Sequence, residues 1–266
     1  MCTTPRTTHF GFATVDSGAK QGMVNDVFHR VADSYDVMND VMSAGVHRVW
    51  KDYFVAAAGP VVSTSHPTRC LDVAGGTGDI AFRLADSIRA SPVASPHTPE
   101  IVVSDINPDM LRVGQDRAAQ LGYGVSSPTM SWVEADAQEL PFEDDSFDLY
   151  TIAFGIRNVP DVPKALSEAH RVLRPGGRFM CLEFSHVTVP GIREVYDMYS
   201  MNVIPTMGQV VAQDRDAYQY LVESIRRFPK QAEFLRMLED AGLVSATYTN
   251  YTFGVVAVHS GFKALH

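Results

Sequence analysis

Arg157 and Asn158 stand side by side in the segment GIRNVPDVP, directly after hydrophobic residues typical of a buried strand. Their side chains offer a permanent positive charge and an amide that both donates and accepts hydrogen bonds. Such a pair at the end of a strand has no evident role in packing. We therefore expect a catalytic or substrate-orienting role, and the alternative is a hydrogen-bond network that stabilises the loop.

A glycine-rich turn within LDVAGGTGDI, residues 71–80, is the second candidate for a site. It contains Gly75, Gly76, Thr77 and Gly78. Glycine accepts positive φ and lets a ligand approach the backbone, and the amides of the following helix favour an anionic group. The turn therefore predicts a nucleotide-like cofactor at the carboxyl end of a parallel sheet. A purely structural turn is the alternative, and Ala81 at the last glycine position of the dinucleotide fingerprint leaves a nicotinamide cofactor open.

Acidic residues follow two later hydrophobic segments. Asp105 ends IVVSD, where a carboxylate can accept both hydroxyls of a ribose, and the alternative is that it caps the helix opening at Asn107-Pro108. Asp136 and Ala137 end the next predicted strand on the same edge of the sheet. A carboxylate and a backbone amide at that place can bracket an adenine.

Composition limits the class of protein that can carry these residues. The 266 residues suit one α/β domain with appended helices. With 22 basic and 31 acidic residues the net charge is −9, which argues against a nucleic-acid partner. The three cysteines are far apart and predict buried thiols in a reducing compartment, without metal-ligand spacing. There is no run of 18 apolar residues that would span a membrane.

The predicted elements form a single domain over 1–266. An N-terminal helical cap (9–58) precedes a sheet core (69–186 and 229–266), and a helical insertion (187–228) follows the fifth strand as a lid. The last two strands are separated by little more than a turn and predict an antiparallel hairpin. A seven-stranded, mostly parallel, Rossmann-like sheet with such a hairpin is typical of class I S-adenosylmethionine methyltransferases rather than dinucleotide dehydrogenases.

Eight segments of the chain carry a family resemblance. They are YDVMNDVMSAGVHRVWK, LDVAGGTGDIAFRLA, SDINPDML, EADAQELPFEDDSFD, TIAFGIRNV, RVLRPGGRFMCLEFS, YQYLVESIRRFPKQ and GVVAVHSGFK. Together they resemble the ubiquinone/menaquinone biosynthesis C-methyltransferase family, and most of all its mitochondrial eukaryotic branch. GIRNV, LEFS and ESIRRFP are the most specific of the motifs, and the resemblance runs from about His9 to the C-terminus.

The resemblance implies positions for S-adenosylmethionine and no metal. The cofactor positions fall on Thr77 in the glycine turn, on Asp105 for the ribose, and on Asp136 and Ala137 beside the adenine. Bacterial members carry a serine in the segment TISFG, whereas Ala153 in TIAFG cannot donate a side-chain hydrogen bond.

The implied reaction is methyl transfer to a ring carbon of 2-methoxy-6-polyprenyl-1,4-benzoquinol in ubiquinone biosynthesis. Arg157 and Asn158 match the family's active-site pair. Because arginine stays protonated, we expect Arg157 to stabilise the phenolate while Asn158 and an ordered water orient the ring and relay its proton. The reserve candidates for this relay are Tyr35, which we group with the pair as a catalytic residue, and Asp36, His47 and His186.

The implied partners follow from the prenyl tail. The cap and the insertion around Tyr196 to Met207 are expected to flank a tunnel that leaves the tail near the bilayer. We expect peripheral association with the matrix side of the mitochondrial inner membrane, a multi-enzyme complex for ubiquinone synthesis, and a homodimer as an option. The alternatives are a demethylmenaquinol substrate, a nicotinamide-dependent oxidoreductase, and a catalytically idle cofactor-binding scaffold.

Overall fold

The structure is a computed structural model that describes residues 7–31, 40, 43, 45–59, 62–124, 127–203, 205, 206, 209 and 215–265. Its strands are β1 (Thr7–Phe10), β2 (Ala13–Asp16), β3 (Arg69–Val73), β4 (Glu100–Asp105), β5 (Thr129–Glu134), β6 (Phe147–Ala153), β7 (Leu173–Phe184), β8 (Leu243–Tyr251) and β9 (Val256–Lys263). Its helices are α1 (Ser17–Val31), α2 (Val46–Ala58), α3 (Asp79–Arg89), α4 (Pro108–Leu121), α5 (Val162–Val172), α6 (Ile192–Asn202), α7 (Arg215–Arg227) and α8 (Gln231–Asp240). Two single 3-10 turns cover Ile156–Asn158 and Thr252–Gly254.

Seven strands form one sheet in the order β5-β4-β3-β6-β7-β9-β8. The five strands from β5 to β7 are parallel, and β9 runs antiparallel to both β7 and β8. This confirms the predicted α/β fold with a terminal antiparallel hairpin. Since the strand order reverses between β3 and β6, their carboxyl ends open a crevice where α/β proteins bind ligands.

Alternate residues of the central strands face opposite sides of the sheet, as the pleat requires. Cys70 and Met180 pack on one side against α2 and α3, whereas Leu71 and Cys181 pack on the other against α5 and α8. Both cysteines are free and buried. Helices on both faces explain why these strands read as continuous hydrophobic runs.

One feature of the chain differs from the sequence-based expectation. The β1–β2 hairpin was not predicted, and it packs on α7 through a stacked pair of rings, Phe10 and Tyr220, with centroids 4.1 Å apart. Within the described ranges, no helix combines the length and apolarity needed to cross a membrane.

Candidate active site

A cleft of about 1000 Å³, open to solvent, lies at the carboxyl ends of β3, β4 and β6. Seven of the predicted site residues line it: Gly75, Gly76, Thr77, Asp105, Asp136, Ala137 and Asn158. Helix α1 contributes Gln21 and Val24, and α2 contributes Lys51. The cleft therefore brings residues from six separate segments of the sequence to one place.

The glycines of the turn have two roles: one faces the cleft, and another permits close packing behind it. Gly76 has φ +47°, and its N–H donates a 2.9 Å hydrogen bond to Asp105 Oδ2. Gly78 has φ +80° and precedes α3, and a Cβ at this position would lie 2.7 Å from the Trp132 ring. Gly76 thus faces the cleft, while Gly78 permits the close packing of the turn against β5.

Asp105 holds the turn rather than capping the next helix. Its Oδ1 accepts from the Asn107 N–H and its Oδ2 from the Gly76 N–H, each at 2.9 Å. The cap of α4 is Asn107 itself, whose side-chain oxygen accepts from Asp109 and Met110. Burial raises the pKa of Asp105 to about 6, and the backbone hydrogen bonds limit that rise. The carboxylate is therefore mainly ionised at pH 7 and can still accept a hydroxyl donor.

Asp136 and Ala137 lie just beyond β5, which ends at Glu134 rather than at Asp136 as expected. The Gln138 side-chain amide lies 2.9 Å from both carboxylate oxygens of Asp136. Ala137 is buried in the cleft wall. Asp136 therefore presents an oriented carboxylate to the cleft, and Ala137 presents a small apolar surface.

Two non-glycine residues in the cleft wall have left-handed backbone conformations. Ala74 follows β3 with φ +50°, and Phe154 follows β6 with φ +57°. A Cβ on the neighbouring Gly155 would collide with Ala74. Such conformations cost roughly 1–3 kcal/mol each and cluster at functional sites. The residue types at these two positions do not predict a left-handed conformation.

Arg157 lies behind the cleft wall in a buried ion pair. Its Nη1 donates to Glu183 Oε1 at 2.8 Å and to the Phe154 carbonyl at 2.5 Å. Glu183 also accepts from the Phe184 N–H at 2.8 Å. Burial raises the pKa of Glu183, and the charge of Arg157 opposes that rise. A glutamate within the otherwise apolar strand FMCLEF was the signal that could have identified this partner.

Asn158 lines the cleft and is held from the opposite side. The Tyr220 hydroxyl, on α7, donates to Asn158 Oδ1 at 2.9 Å. Burial raises the pKa of Tyr220 to about 12, so that the hydroxyl stays protonated. Asn158 is thus oriented by the predicted insertion, which sequence reasoning did not connect to it.

Lys20 fixes the turn that carries the Arg157-Asn158 pair. Its Nζ donates to the carbonyls of Arg157 at 3.3 Å and Val159 at 3.1 Å. Burial and, to a smaller extent, the charge of Arg157 lower the pKa of Lys20 to about 8. The N-terminal helix α1 therefore supports the same turn as the insertion does.

The other candidates for proton transfer have separate environments. Tyr35 and Asp36 lie outside the described residues. His47 Nε2 is 2.8 Å from Asp40 Oδ1, and burial lowers the pKa of the imidazole against the opposing effect of this hydrogen bond. His186 Nε2 is 2.9 Å from the Phe228 carbonyl. None of these roles is tested by the geometry, and they stay predictions.

Charged side chains meet at the end of the cleft next to α2. Asp72 is buried in β3, accepts from Thr151 Oγ1 at 2.8 Å, and has no hydrogen-bond partner at Oδ2 among the described residues. Burial raises the pKa of Asp72 to about 7. Lys51, also buried, places Nζ 2.6 Å from Asp79 Oδ2. Among the described residues, no cluster of His, Cys, Asp or Glu has the arrangement of a metal site.

A second cavity, about 640 Å³ including its opening to solvent, lies between the end of β7 and the helices α6 and α7. Its apolar wall contains Val187, Tyr196, Val222 and Ile225, and its polar wall contains Ser185, His186, Arg193, Asp197, Ser200 and Arg226. Beside it, α6 exposes apolar side chains to solvent, among them Val195 and Met198 at 64% each. The insertion therefore combines a cavity with an exposed apolar helix face.

Comparison with known proteins gives one consistent result. Residues 16–263 match the ubiE/COQ5 methyltransferase family. The chain is 56% identical over 261 residues to a Drosophila melanogaster protein named 2-methoxy-6-polyprenyl-1,4-benzoquinol methylase, mitochondrial, covering 97% of this chain and 85% of the relative. It is 55% identical over 254 residues to a Brucella anthropi protein named ubiquinone/menaquinone biosynthesis C-methyltransferase UbiE, covering 96% of this chain and 92% of the relative.

Solved structures share the fold at low sequence identity. A Thermotoga maritima protein described as a S-adenosylmethionine-dependent methyltransferase superimposes with a TM-score of 0.58 at 17% identity, covering 90% of this chain and 98% of that one. A Haemonchus contortus phosphoethanolamine N-methyltransferase in complex with S-adenosylhomocysteine gives 0.54 at 15% identity, covering 81% and 52%. These two likenesses support the architecture alone.

Proposed function

Since the chain belongs to the ubiE/COQ5 methyltransferase family, we propose that it methylates a ring carbon of 2-methoxy-6-polyprenyl-1,4-benzoquinol, with S-adenosylmethionine as the methyl donor. The reaction is a step of ubiquinone biosynthesis. The observation that carries the proposal is the cleft in which Asp105, the glycine turn and Asn158 meet. The name of the Drosophila relative supports the choice of acceptor.

The residues of the cleft fit this donor. Asp105 offers carboxylate oxygens to ribose hydroxyls, and Gly76 presents backbone where a Cβ would lie 3.1 Å from Met110 Cε. The unpartnered Oδ2 of Asp72 is an acceptor that lacks a donor within the described residues. We assign donor binding to Gly75, Gly76, Thr77, Gly78, Asp105, Asp136 and Ala137, with Gly78 acting through the packing of the turn. When bound, the donor supplies an electrophilic methyl group.

Asn158 and Arg157 take different roles toward the acceptor ring. The Tyr220 hydroxyl holds the side-chain oxygen of Asn158. We propose that the side-chain nitrogen of Asn158 donates a hydrogen bond to the acceptor-ring oxygen that must lose its proton. Arg157 supplies fixed positive charge behind the wall, which favours ionisation of that oxygen. Because arginine is a permanent cation and the Arg157 side chain is anchored by Glu183, it is not the base that takes up the proton. Asn158 with an ordered water remains our proposed proton relay, and Tyr35 remains a reserve candidate for it.

The insertion gives the prenyl tail a route. We assign the tail to the second cavity and the exposed apolar face of α6, which would leave its far end at a bilayer surface. The division into a cap (9–58), a core (69–186 and 229–266) and a lid (187–228) belongs to this proposal. So do peripheral attachment to the matrix side of the mitochondrial inner membrane, a ubiquinone-biosynthesis complex, and a homodimer. The mitochondrial designation of the Drosophila relative supports the compartment.

A demethylmenaquinol acceptor is the second candidate, because the Brucella relative is named for both quinone classes. The test is anaerobic turnover with methyl-labelled donor and short-tailed benzoquinol and naphthoquinol acceptors, followed by mapping of the label. We expect label on a benzoquinol ring carbon. Label on naphthoquinol alone would favour the second candidate, and label on oxygen would refute C-methylation. Tight donor binding with no labelled product would favour the scaffold alternative.

A further inference from the structure

Lys51 is a buried cation in a cleft that is otherwise acidic. It is 4% exposed, and it reaches the cleft from α2, outside the strand-end positions that supply most of the wall. Four aspartates line the same cleft: Asp72, Asp79, Asp105 and Asp136. Among the described residues that line the cleft, Lys51 is the single cationic side chain. A carboxylate that enters this acidic cleft needs a cation within reach to offset its desolvation.

Within the part of the chain that the structure describes, the Lys51 ammonium retains hydrogen-bonding capacity beyond its ion pair. It has three donors, and Asp79 Oδ2 at 2.6 Å accepts one of them. Asp79 is also paired with Arg83, so that its charge does not depend on Lys51 alone. Burial by itself would raise the pKa of Asp79, but Lys51 and Arg83 together bring it down to about 2. Asp79 is thus a permanent anion that positions the ammonium at the cleft.

Asp72 sets the polarity of this end of the cleft. Its Oδ2, which has no hydrogen-bond partner among the described residues, is buried at a lining position, where it attracts a donor or a cation and repels an anion. Asp72 and Lys51 line the same cleft, and the charge of Lys51 opposes the rise that burial causes in the pKa of Asp72. One acidic and one basic group in the wall of one cleft match a ligand that carries both an ammonium and a carboxylate.

We propose that Lys51 binds the α-carboxylate of the methyl donor, with the α-ammonium turned toward Asp72. This assignment rests on the proposed function, because it concerns the amino-acid end of the donor named there. It makes helix α2 of the cap a part of the donor site. The cap then recognises the amino-acid end of the donor, whereas Asp105 and the glycine turn recognise only its nucleoside.

Calorimetric binding of three donor analogues to the whole chain tests the assignment without turnover. S-adenosylhomocysteine carries both charged groups, its decarboxylated analogue S-adenosyl-3-thiopropylamine keeps only the ammonium, and 5′-methylthioadenosine has neither. We expect the wild type to bind S-adenosylhomocysteine about tenfold to a hundredfold tighter than the decarboxylated analogue, as for a hydrogen bond between charged groups. Lys51→Met should remove this difference and leave the affinity for 5′-methylthioadenosine unchanged.

Two variants make the result specific. Asp105→Asn should weaken all three ligands alike, because each of them contains the ribose. Lys51→Arg keeps the charge and should preserve part of the preference for the carboxylate, which also covers the case in which Lys51→Met does not fold. Equal wild-type affinity for S-adenosylhomocysteine and its decarboxylated analogue would overturn the assignment, as would a preference that survives in Lys51→Met. Absence of binding for all three ligands in the wild type would instead refute the proposed donor.

Discussion

The Glu183 carboxylate lies 2.8 Å from the Arg157 guanidinium, and the two side chains are only 1% and 5% exposed. The pair joins the end of β7 to the 3-10 turn that follows β6, so two neighbouring parallel strands fix one functional segment. Removing one partner of a buried ion pair leaves an uncompensated charge, whereas replacing both by apolar groups is often tolerated. Single and double replacements of the pair therefore have different effects on stability, and comparing them distinguishes the structural role of the pair from its chemical role.

Replacing the glutamate alone should damage both stability and turnover. Glu183→Gln leaves the Arg157 charge buried without its counter-charge, so we expect the free energy of unfolding to fall by about 3 kcal/mol. Because the guanidinium loses its anchor, kcat should fall while the affinity for S-adenosylhomocysteine is retained. Chemical denaturation and steady-state kinetics measure the two effects.

The double variant Arg157→Met with Glu183→Leu is the matched control. Without the buried ion pair it should recover most of the lost stability, yet stay inactive because the Arg157 charge behind the cleft wall is gone. Wild-type turnover in this variant would show that the pair serves packing alone. Full activity in Glu183→Gln would remove its positioning role.

Tyr220→Phe should weaken catalysis with little cost to the fold. It removes the hydroxyl that orients Asn158 and retains the ring that stacks on Phe10. A lost hydrogen bond of this kind costs about 1 kcal/mol. The activation free energy should rise by a similar amount, which lowers kcat about fivefold. Tyr248→Phe, on the half-exposed strand β8, is the comparison and should behave as wild type. Equal kinetics in the two variants would contradict the role of Tyr220.

Much of the fold was predictable, because its signals are local. Apolar runs that end in Gly75, Asp105 or the Arg157-Asn158 pair mark strand ends, and the last two strands mark the hairpin. The sequence placed these residues on one edge of the sheet, and the cleft does bring Asp105 and Asn158 together. Their roles in binding and catalysis stay predictions.

The features of the site that the sequence did not predict depend on contacts between distant segments. Lys20 and Tyr220 are separated from Arg157 and Asn158 by 137 and 62 residues. Helical spacing predicts that such residues are buried, but it does not identify the group that each one meets. The left-handed backbone at Ala74, with φ +50°, is likewise not predicted by its residue type. The role of Lys51 becomes visible only once the charges of the whole cleft wall are known.

The affinity for nucleoside should fall in acid through Asp105. Burial raises its pKa from 3.8 to about 6, so the folded chain takes up this proton at a higher pH than the unfolded chain. The contribution of Asp105 to folding stability therefore decreases as the pH rises from about 4 to about 6. Its ionised form accepts the ribose hydroxyls, so affinity for 5′-methylthioadenosine should decrease as the pH falls below about 6. Asp105→Asn should bind weakly at every pH, and an unchanged pH profile in that variant would assign the effect to another group.

The exposed apolar face of α6 should matter for long-tailed acceptors and not for short ones. Val195 and Met198 lie on neighbouring turns of the helix, each 64% exposed. The double variant Val195→Glu with Met198→Glu adds charge where we place the tail, so KM for a long-tailed acceptor should rise severalfold and binding to lipid vesicles should fall. Turnover of a short-tailed acceptor should stay within twofold of wild type, because the cleft is untouched. Leu121→Glu, 62% exposed at the end of α4, controls for charge added to an apolar surface. An equal rise in KM for both acceptors would place the defect in the fold of the insertion rather than in a tail route, and unchanged kinetics with both would remove α6 from that route.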